Sequence, residues 1–256
     1  MSDTNATWPA GWAALYDAMD VDRVPPYLAF YPGLVTPQTR SLLDLGCGTG
    51  SITMAMAERM PRDAQITGVD LSPKMIEIAH ARAPQHRWLV GDICAPPVQG
   101  QFDLIVICFH TLQMLLDEAD LARCFKAVAA HLAPGGCFAF DIYRPNLDWL
   151  SRVEPSPHLV RQFTDGRGVS FDVMEHGASY DQLTRVLSCT WTLHDTATGR
   201  MLPLEPMILP VRQYFPEDIT RNLAATGLRA VNLYGELDRS PFVEGSKRQV
   251  YVCQAA

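Results

Sequence analysis

The chain has 256 residues, and its hydrophobic fraction of 48% is ordinary for a folded globular protein that buries a core. Its formal net charge is −7 and its 21 lysines and arginines are scattered, so we expect no nucleic-acid partner and no anionic membrane partner. The seven cysteines form no C-x-x-C pair, and the N-terminal segment lacks a basic stretch followed by an apolar one. We therefore expect reduced thiols and a cytoplasmic location.

Short apolar segments alternate with helical patterns through the first half of the chain. The predicted strands are Ser41–Leu45, Gln65–Asp70, Arg87–Val90, Phe102–Phe109 and Cys137–Ile142. The predicted helices between them are Ser51–Met60, Lys74–Arg82 after the N-cap Ser72, and a segment from Asp117 that ends at Ala133–Gly136. This alternation predicts an α/β fold with a doubly wound, mostly parallel sheet.

The pattern changes after about Asn146, where strands follow one another without helices between them. The predicted strands of this antiparallel insertion are Val169–His176, Leu183–His194 and Met201–Arg212, with a hairpin turn at Thr196–Gly199. A helix at Pro216–Thr226 and strands at Leu228–Tyr234 and Gln249–Cys253 then complete a seven-stranded main sheet.

The sequence therefore predicts three parts. They are an N-terminal helical cap at 1–40, a main domain at 41–146 and 214–256, and an inserted antiparallel subdomain at 147–213. Because an inserted sheet leaves edges that need covering, we also expect a homodimer.

A glycine-rich loop between a predicted buried strand and a helix is the strongest local signal. It reads Leu42-Leu43-Asp44-Leu45-Gly46-Cys47-Gly48-Thr49-Gly50-Ser51. Glycines let the backbone turn tightly and approach a ligand, and the start of the helix offers free N–H groups. A P-loop would require a Gly-Lys pair, which is absent, and a dinucleotide fingerprint would require glycine where Ser51 stands.

The spacing D-x-G-x-G-x-G from Asp44 to Gly50 resembles motif I of class I S-adenosylmethionine-dependent methyltransferases. The resemblance runs from Ser41 to about Asn146 and includes Leu132-Ala133-Pro134-Gly135-Gly136, which is similar to the family's L-x-P-G-G. It implies a Rossmann-like fold, S-adenosyl-L-methionine as the cofactor, and methyl transfer to a small-molecule acceptor. Asp44 would either meet the cationic groups of this cofactor or brace the loop.

Two further carboxylates follow the second and third predicted strands. Asp70 ends its strand where a carboxylate can accept both ribose hydroxyls of an adenosine. Asp92 resembles the acid that accepts from the adenine amino group in this family, with the Ile93 backbone N–H reaching the ring. The cofactor-binding set that we expect is Tyr16, Asp44, Gly46, Cys47, Gly48, Gly50, Asp70, Leu71, Asp92, Ile93 and Cys108.

His110, Tyr143 and Arg144 are the candidate catalytic residues, because they follow the fourth and fifth predicted strands. His110 would be a general base, or a histidine that hydrogen-bonds its loop. Arg144 would pair with a substrate carboxylate or phosphate, or with a surface partner. Tyr143 would contact the substrate or pack beneath the insertion. Methyl transfer from a sulfonium requires no metal ion, and we assign none.

Trp8, Trp12 and Tyr16 form an aromatic stripe at helical spacing after Pro9. Such a stripe either packs the cap onto the domain or serves as a lid. The family resemblance implies that Tyr16 contacts the methionine part of the cofactor.

Two other functions are compatible with these motifs. An NAD-dependent oxidoreductase is allowed by the loop and Asp70, but Ser51 and Asp92 argue against it. A non-methylating enzyme that uses the same cofactor, for example by cyclising its methionine chain, is allowed because no catalytic base is unambiguous.

Overall fold

Eleven strands form two sheets in the computed structural model, which describes residues 8–152 and 156–256. They are β1 (Ser41–Leu45), β2 (Gln65–Asp70), β3 (Arg87–Val90), β4 (Phe102–Ile107), β5 (Leu132–Tyr143), β6 (His158–Thr164), β7 (Ser170–Asp181), β8 (Val186–Asp195), β9 (Met207–Arg212), β10 (Leu228–Tyr234) and β11 (Arg248–Ala255). The main sheet has the order β10-β11-β5-β4-β1-β2-β3, and its strand pairs are parallel except the two that involve β11. The predicted mostly parallel sheet is confirmed.

The described chain contains eight α-helices. They are α1 (Ala10–Ala13), α2 (Tyr16–Asp20), α3 (Val24–Phe30), α4 (Ser51–Ala57), α5 (Pro73–Arg82), α6 (Glu118–His131), α7 (Leu147–Leu150) and α8 (Pro216–Ala225). Ser72 caps α5, and the Asp117 carboxylate caps α6 by accepting from the Asp120 N–H at 2.7 Å. None of these helices is long and apolar enough to cross a membrane.

Several predicted boundaries are wrong at the ends of elements. The helix predicted to reach Met60 ends at Ala57, and β5 begins at Leu132, before the predicted turn is complete. β4 stops at Ile107 because Phe109 and His110 adopt left-handed backbone conformations, with φ of 56° and 60°. A left-handed residue cannot continue a strand, so the chain turns where the prediction extended it.

The inserted sheet has four antiparallel strands in the order β6-β7-β8-β9. The sequence predicted three of them and did not separate β6. Met201 joins the sheet only by an isolated bridge to His194, so β9 begins later than predicted, at Met207. Phe163, Phe171 and Val173 form the core under this sheet together with side chains of the cap.

The cap consists of α1, α2, α3 and a short 3₁₀ helix at Tyr31–Leu34. Trp12 is buried against the inserted sheet, and its Nε1 donates to the Glu205 carbonyl at 2.9 Å. Tyr27 and Phe30 of α3 pack instead against the main sheet. The cap therefore bridges the two sheets above the edge where β1, β2 and β4 end.

Candidate active site

Two cavities meet at this edge of the main sheet. The first, which we call the glycine-loop pocket, is lined by Trp8, Tyr16, Gly46, Gly48, Asp70, Leu71, Ser72, Met75, Asp92, Ile93, Thr111, Met114 and Leu115. The second, the cap–insertion cavity, measures about 510 Å³ and is lined by the cap, the end of β5 and the inserted sheet. Trp8, Tyr16, Thr111 and Met114 line both cavities, so one opens into the other.

Gly46 and Gly48 bring bare backbone to the floor of the glycine-loop pocket. Both have positive φ, of 78° and 53°. A Cβ at Gly46 would lie 2.4 Å from Thr111 Cγ2, and one at Gly48 would face the Tyr16 ring at 3.8 Å. Glycine is thus required at Gly46 both for its conformation and for its close approach to Thr111.

Asp70 lies at the end of β2 and faces the glycine-loop pocket. One carboxylate oxygen accepts from the Gly48 N–H and the other from the Ser72 N–H, both at 2.9 Å. Burial raises the pKa of Asp70, while these two backbone donors lower it. Because a carboxylate has about four acceptor positions, each oxygen can still accept from a ligand hydroxyl.

Asp92 and Ile93 form the wall of the pocket beyond β3. The Asp92 Oδ1 accepts from the Cys94 N–H at 2.8 Å, which fixes the carboxylate at the rim. Leu71, Met75 and Leu115 add apolar surface to the same pocket. The combination of two carboxylates and apolar walls suits a flat, cationic or hydroxylated ligand.

Asp44 is buried and does not line the pocket. Its Oδ2 accepts from the Thr53 hydroxyl of α4 at 2.5 Å, while its buried Oδ1 has no hydrogen-bond partner in the described chain. Burial raises the pKa of Asp44 to about 7. Of the two roles considered for Asp44, this geometry favours bracing of the loop against α4.

Cys47, Gly50 and Cys108, which the sequence also predicted to bind the cofactor, are not among the residues that line the pocket. The Cys47 side chain packs with Trp88, and a Cβ at Gly50 would lie 2.6 Å from the Trp88 ring. Cys108 packs into the core beneath the main sheet. The Cys47 and Cys108 side chains therefore pack in the protein interior, whereas Gly50, which has no side chain, leaves room for the Trp88 ring.

The aromatic stripe of the cap divides between two roles. Trp12 packs in the core, whereas Trp8 and Tyr16 line both cavities and contact each other edge to face, with ring centroids 4.8 Å apart. Burial raises the pKa of the Tyr16 hydroxyl, which therefore stays protonated and able to donate.

Asp17 anchors the cap to the glycine loop, a contact that the sequence did not indicate. Its Oδ1 accepts from the Thr49 hydroxyl at 2.7 Å and the Ser51 hydroxyl at 3.0 Å, and its Oδ2 pairs with Arg82. The carboxylate therefore fixes α2, and with it Tyr16, above the loop.

His110 lies in a buried polar network with Tyr27, Asp141 and Arg248. Its Nε2 lies 2.8 Å from Arg248 Nη1, and because a guanidinium only donates, Nε2 accepts and carries no proton. Its Nδ1 lies 3.1 Å from Asp141 Oδ2, at an angle that makes no regular hydrogen bond. Burial and the charges of Arg248 and Arg23 hold the pKa of His110 well below its usual range. This geometry argues against the general-base role and favours the structural one.

Asp141 is the centre of that network. It is fully buried and accepts from Tyr31 at 2.6 Å, from Tyr27 at 3.1 Å and from the Phe109 N–H at 3.2 Å. The bond to Phe109 holds the left-handed turn that places Phe109 and His110 at the cap–insertion cavity. Strained backbone of this kind persists only where surrounding contacts fix it.

Tyr143, the last residue of β5, and Arg144, which follows it, lie at the wall of the cap–insertion cavity. The Tyr143 ring stacks on His110 with centroids 3.6 Å apart, and its hydroxyl accepts from Arg23 at 3.1 Å. Arg144 donates to the Val243 carbonyl and lies over the Phe242 ring. Both side chains are partly exposed and accessible to a ligand.

Several residues that line the two cavities carried no motif in the sequence. Met75, Thr111, Met114 and Leu115 belong to this group, and Ser72 was predicted only as a helix N-cap. Ser72 and Thr111 lie in the loops that follow β2 and β4, at strand ends where ligand contacts are expected, whereas the positions of Met75, Met114 and Leu115 follow from how their helical segments pack.

Comparison with known proteins places the chain in a family. A family model described as a methyltransferase domain matches residues 42–136. A trans-aconitate 2-methyltransferase of Klebsiella pneumoniae is 31% identical over 185 residues, which are 69% of this chain and 67% of that protein. The chain belongs to the class I S-adenosylmethionine-dependent methyltransferases.

Other known proteins match a shorter part of this chain, or share its fold at low sequence identity. A dTDP-4-amino-2,3,4,6-tetradeoxy-D-glucose N,N-dimethyltransferase of Saccharopolyspora spinosa is 33% identical over 142 residues, 53% of this chain and 55% of that protein. The chain spans about half the length of several curated relatives that it matches. The crystal structure of an S-adenosylmethionine-dependent methyltransferase from Clostridium acetobutylicum shares the fold, with a TM-score of 0.75 and 23% identity over 96% of this chain and 98% of that one.

The residues of the glycine-loop pocket fit S-adenosylmethionine. Asp70 and Asp92 supply acceptors and negative charge for a ligand that has ribose hydroxyls, an amino group and a sulfonium. The Thr111 side chain leaves no room for a Cβ at Gly46, and a Cβ at Gly48 would lie 3.8 Å from the Tyr16 ring, so both positions present only backbone to a ligand.

Proposed function

We propose that this methyltransferase transfers the methyl group of S-adenosylmethionine to a small molecule bound in the cap–insertion cavity. The observation that carries the proposal is that the glycine-loop pocket opens into this cavity past Trp8, Tyr16, Thr111 and Met114. The names of the two relatives above, which act on trans-aconitate and on an amino sugar nucleotide, support a small-molecule acceptor.

We assign the cofactor contacts to seven residues that line the pocket: Tyr16, Gly46, Gly48, Asp70, Leu71, Asp92 and Ile93. Asp70 accepts from the ribose hydroxyls, and Asp92 accepts from the adenine amino group beside the Ile93 backbone. Tyr16 is the protonated donor that faces the cofactor from the cap. Asp44, Cys47, Gly50 and Cys108 support these residues from behind.

When bound, S-adenosylmethionine supplies an electrophilic methyl carbon that a lone pair of the acceptor attacks in line with the departing sulfur. The chain contributes alignment and the exclusion of water, through the cap and the inserted sheet. Tyr143 and Arg144 contact the acceptor. His110 positions Tyr143 by stacking on it and takes no proton.

We also propose that the three predicted parts have separate roles. Residues 1–40, of which the first seven lie outside the described residues, cap the site; residues 41–146 and 214–256 bind the cofactor; residues 147–213 bind the acceptor and form a homodimer. Exposed Leu159 and Ile208 on the two edge strands of the inserted sheet support the dimer. Size-exclusion chromatography with light scattering tests it, and a monomer at micromolar concentration would contradict it.

The test of the function is incubation with S-adenosylmethionine labelled in its methyl group and a library of small amines, carboxylates and hydroxylated compounds. We expect label in one acceptor class and an equal amount of S-adenosylhomocysteine by mass spectrometry. Absence of binding at high micromolar concentrations of S-adenosylmethionine would contradict the proposal. Loss of the cofactor without a methylated product would favour the alternative, a non-methylating use of the same site.

A further inference from the structure

Two arginines share one buried carboxylate at the wall of the cap–insertion cavity. Asp20, at the end of α2, accepts from Arg161 of β6 at 2.5 Å and from Arg23 at 3.1 Å, in both cases through Oδ1. The Asp20 side chain is 3% exposed, whereas those of Arg23 and Arg161 are 30% and 21% exposed. All three residues line the cavity.

The arrangement leaves positive charge in a partly desolvated place. Within the described chain, Asp20 is the one carboxylate within 4 Å of either guanidinium, so two positive charges meet one negative charge. Over the whole lining, Arg23, Arg144 and Arg161 face Asp20 and Glu175, which again leaves one positive charge. A charge removed from water without a partner is costly, and a bound anion would offset that cost.

The two guanidiniums also keep donors free for a ligand. Arg161 makes its hydrogen bonds to described residues through Nη1, and Arg23 makes its own through Nη1 and Nη2. A guanidinium has five N–H groups in a planar fork that matches a carboxylate or a phosphate. Nearby lining residues are apolar or aromatic, and include Trp149, Trp191, Leu187, Leu209 and Val211.

We propose that Arg23 and Arg161 form an anion subsite, which binds a carboxylate or phosphate group of the acceptor while its apolar body lies against the tryptophans. This inference rests on the proposed function and adds the chemical class of the acceptor to it. Asp20 holds the two arginines together and limits how strongly they attract the anion.

The experiment uses matched probes and calorimetry. The protein is first saturated with S-adenosylhomocysteine and then titrated with cinnamate, with phenyl phosphate and with cinnamamide, an uncharged amide of nearly the same shape as cinnamate. We expect either anion to bind at least tenfold more tightly than cinnamamide, and the stronger of the two identifies the preferred group. Equal affinities, or no binding of any probe, would overturn the inference.

Two variants locate the effect at the arginine pair. Arg161→Met should weaken binding of the preferred anion at least tenfold, whereas Arg167→Met, which removes an exposed arginine outside the cavity, should change nothing. Asp20→Asn keeps the hydrogen-bond acceptor but removes the competing charge, so it should tighten anion binding severalfold. If Asp20→Asn folds and binds the anion no better than the wild type does, the charge argument is wrong.

The first titration separates this inference from the function on which it rests. Failure of the protein to bind S-adenosylhomocysteine would contradict the proposed function. Normal binding of S-adenosylhomocysteine together with equal binding of cinnamate and cinnamamide would contradict the anion subsite alone.

Discussion

The glycine-loop pocket and the cap–insertion cavity adjoin each other but are lined by different kinds of groups. The pocket uses backbone turns and two carboxylates at the ends of neighbouring parallel strands, from Gly46 to Asp92. The cavity uses long side chains from segments far apart in the chain, with Asp20 and Arg161 separated by 141 positions.

This difference has a consequence for how substitutions act. Contacts made by backbone tolerate few changes, because the strand ends and the loop conformation fix them together. Contacts made by side chains from the cap and the inserted sheet can change one at a time. We therefore expect acceptor recognition and cofactor recognition to be separable by mutation, and the following variants test that separation.

The largest effect is expected from Gly46→Ala. The new Cβ would lie 2.4 Å from Thr111 Cγ2 in a residue with φ of 78°. We expect S-adenosylmethionine to bind about 100-fold more weakly, which corresponds to about 2.7 kcal/mol, by calorimetry. Gly135→Ala is the matched control, because Gly135 has φ of 76° and nothing within 4 Å of its added Cβ. Equal cofactor affinity in the two variants would contradict the close-approach argument.

Asp141→Asn should weaken binding of the acceptor and leave binding of the cofactor unchanged. The substitution weakens the bonds from Tyr31, Tyr27 and the Phe109 N–H, so we expect the free energy of unfolding to fall by about 2 kcal/mol. The KM for the acceptor should rise and the Kd for S-adenosylmethionine should stay unchanged. The control is Asp103→Asn at the start of β4, which weakens the bonds from the Arg40 and Ser41 N–H groups at the opposite edge of the sheet. An unchanged acceptor KM in Asp141→Asn would show that the turn does not depend on Asp141.

Trp149→Ala tests the apolar wall of the cavity with little cost to stability, because this side chain is half-exposed. We expect the acceptor KM to rise about tenfold, since burying an aromatic side chain against a ligand contributes roughly 1–2 kcal/mol. Leu147→Ala, on the same short helix but outside the cavity, should leave that KM unchanged. A change in cofactor affinity in Trp149→Ala would contradict the expectation that acceptor and cofactor recognition can be separated by mutation.

The smallest effect concerns Asp44 and pH in the ligand-free protein. Its pKa is about 7 in the folded chain and near 3.8 when exposed, so the folded state holds an extra proton between these values. Raising the pH through this window therefore lowers stability, by about 1 kcal/mol between pH 6 and 7, and the loss levels off above pH 7. Asp44→Asn should remove this slope in urea denaturation curves, whereas Asp63→Asn at an exposed position should retain it. Parallel curves for the wild type and Asp44→Asn would contradict the raised pKa.

The cofactor side of the fold was largely predictable from the sequence. Buried strands, glycines and strand-end carboxylates are local patterns, and the ends of parallel strands converge at one edge by geometry. This is why Gly46, Asp70 and Asp92 were placed correctly relative to one another. The interior packing of the Cys47 and Cys108 side chains was not predicted, because it depends on contacts with Trp88 and with the core of the main sheet that are distant in sequence.

The acceptor side was predictable only in outline. Asp17 and Asp20 belong to no sequence motif, and their partners Thr49 and Arg161 are distant in sequence. The neutral state of His110 depends on Arg248, 138 positions away, so its position after a strand suggested a base that the packing does not favour. Such contacts follow from tertiary packing, on which a single sequence carries no direct signal.

The five residues of α2 have a thermodynamic consequence. Tyr16 faces the glycine-loop pocket, Asp17 binds the loop itself, and Asp20 holds the arginine pair, so in the proposed complex α2 lies between the two ligand sites. We expect the ligand that binds first to restrict the motion of this helix further and so to lower the entropic cost of binding the second. The two affinities are then cooperative, and each ligand must strengthen the other by the same factor.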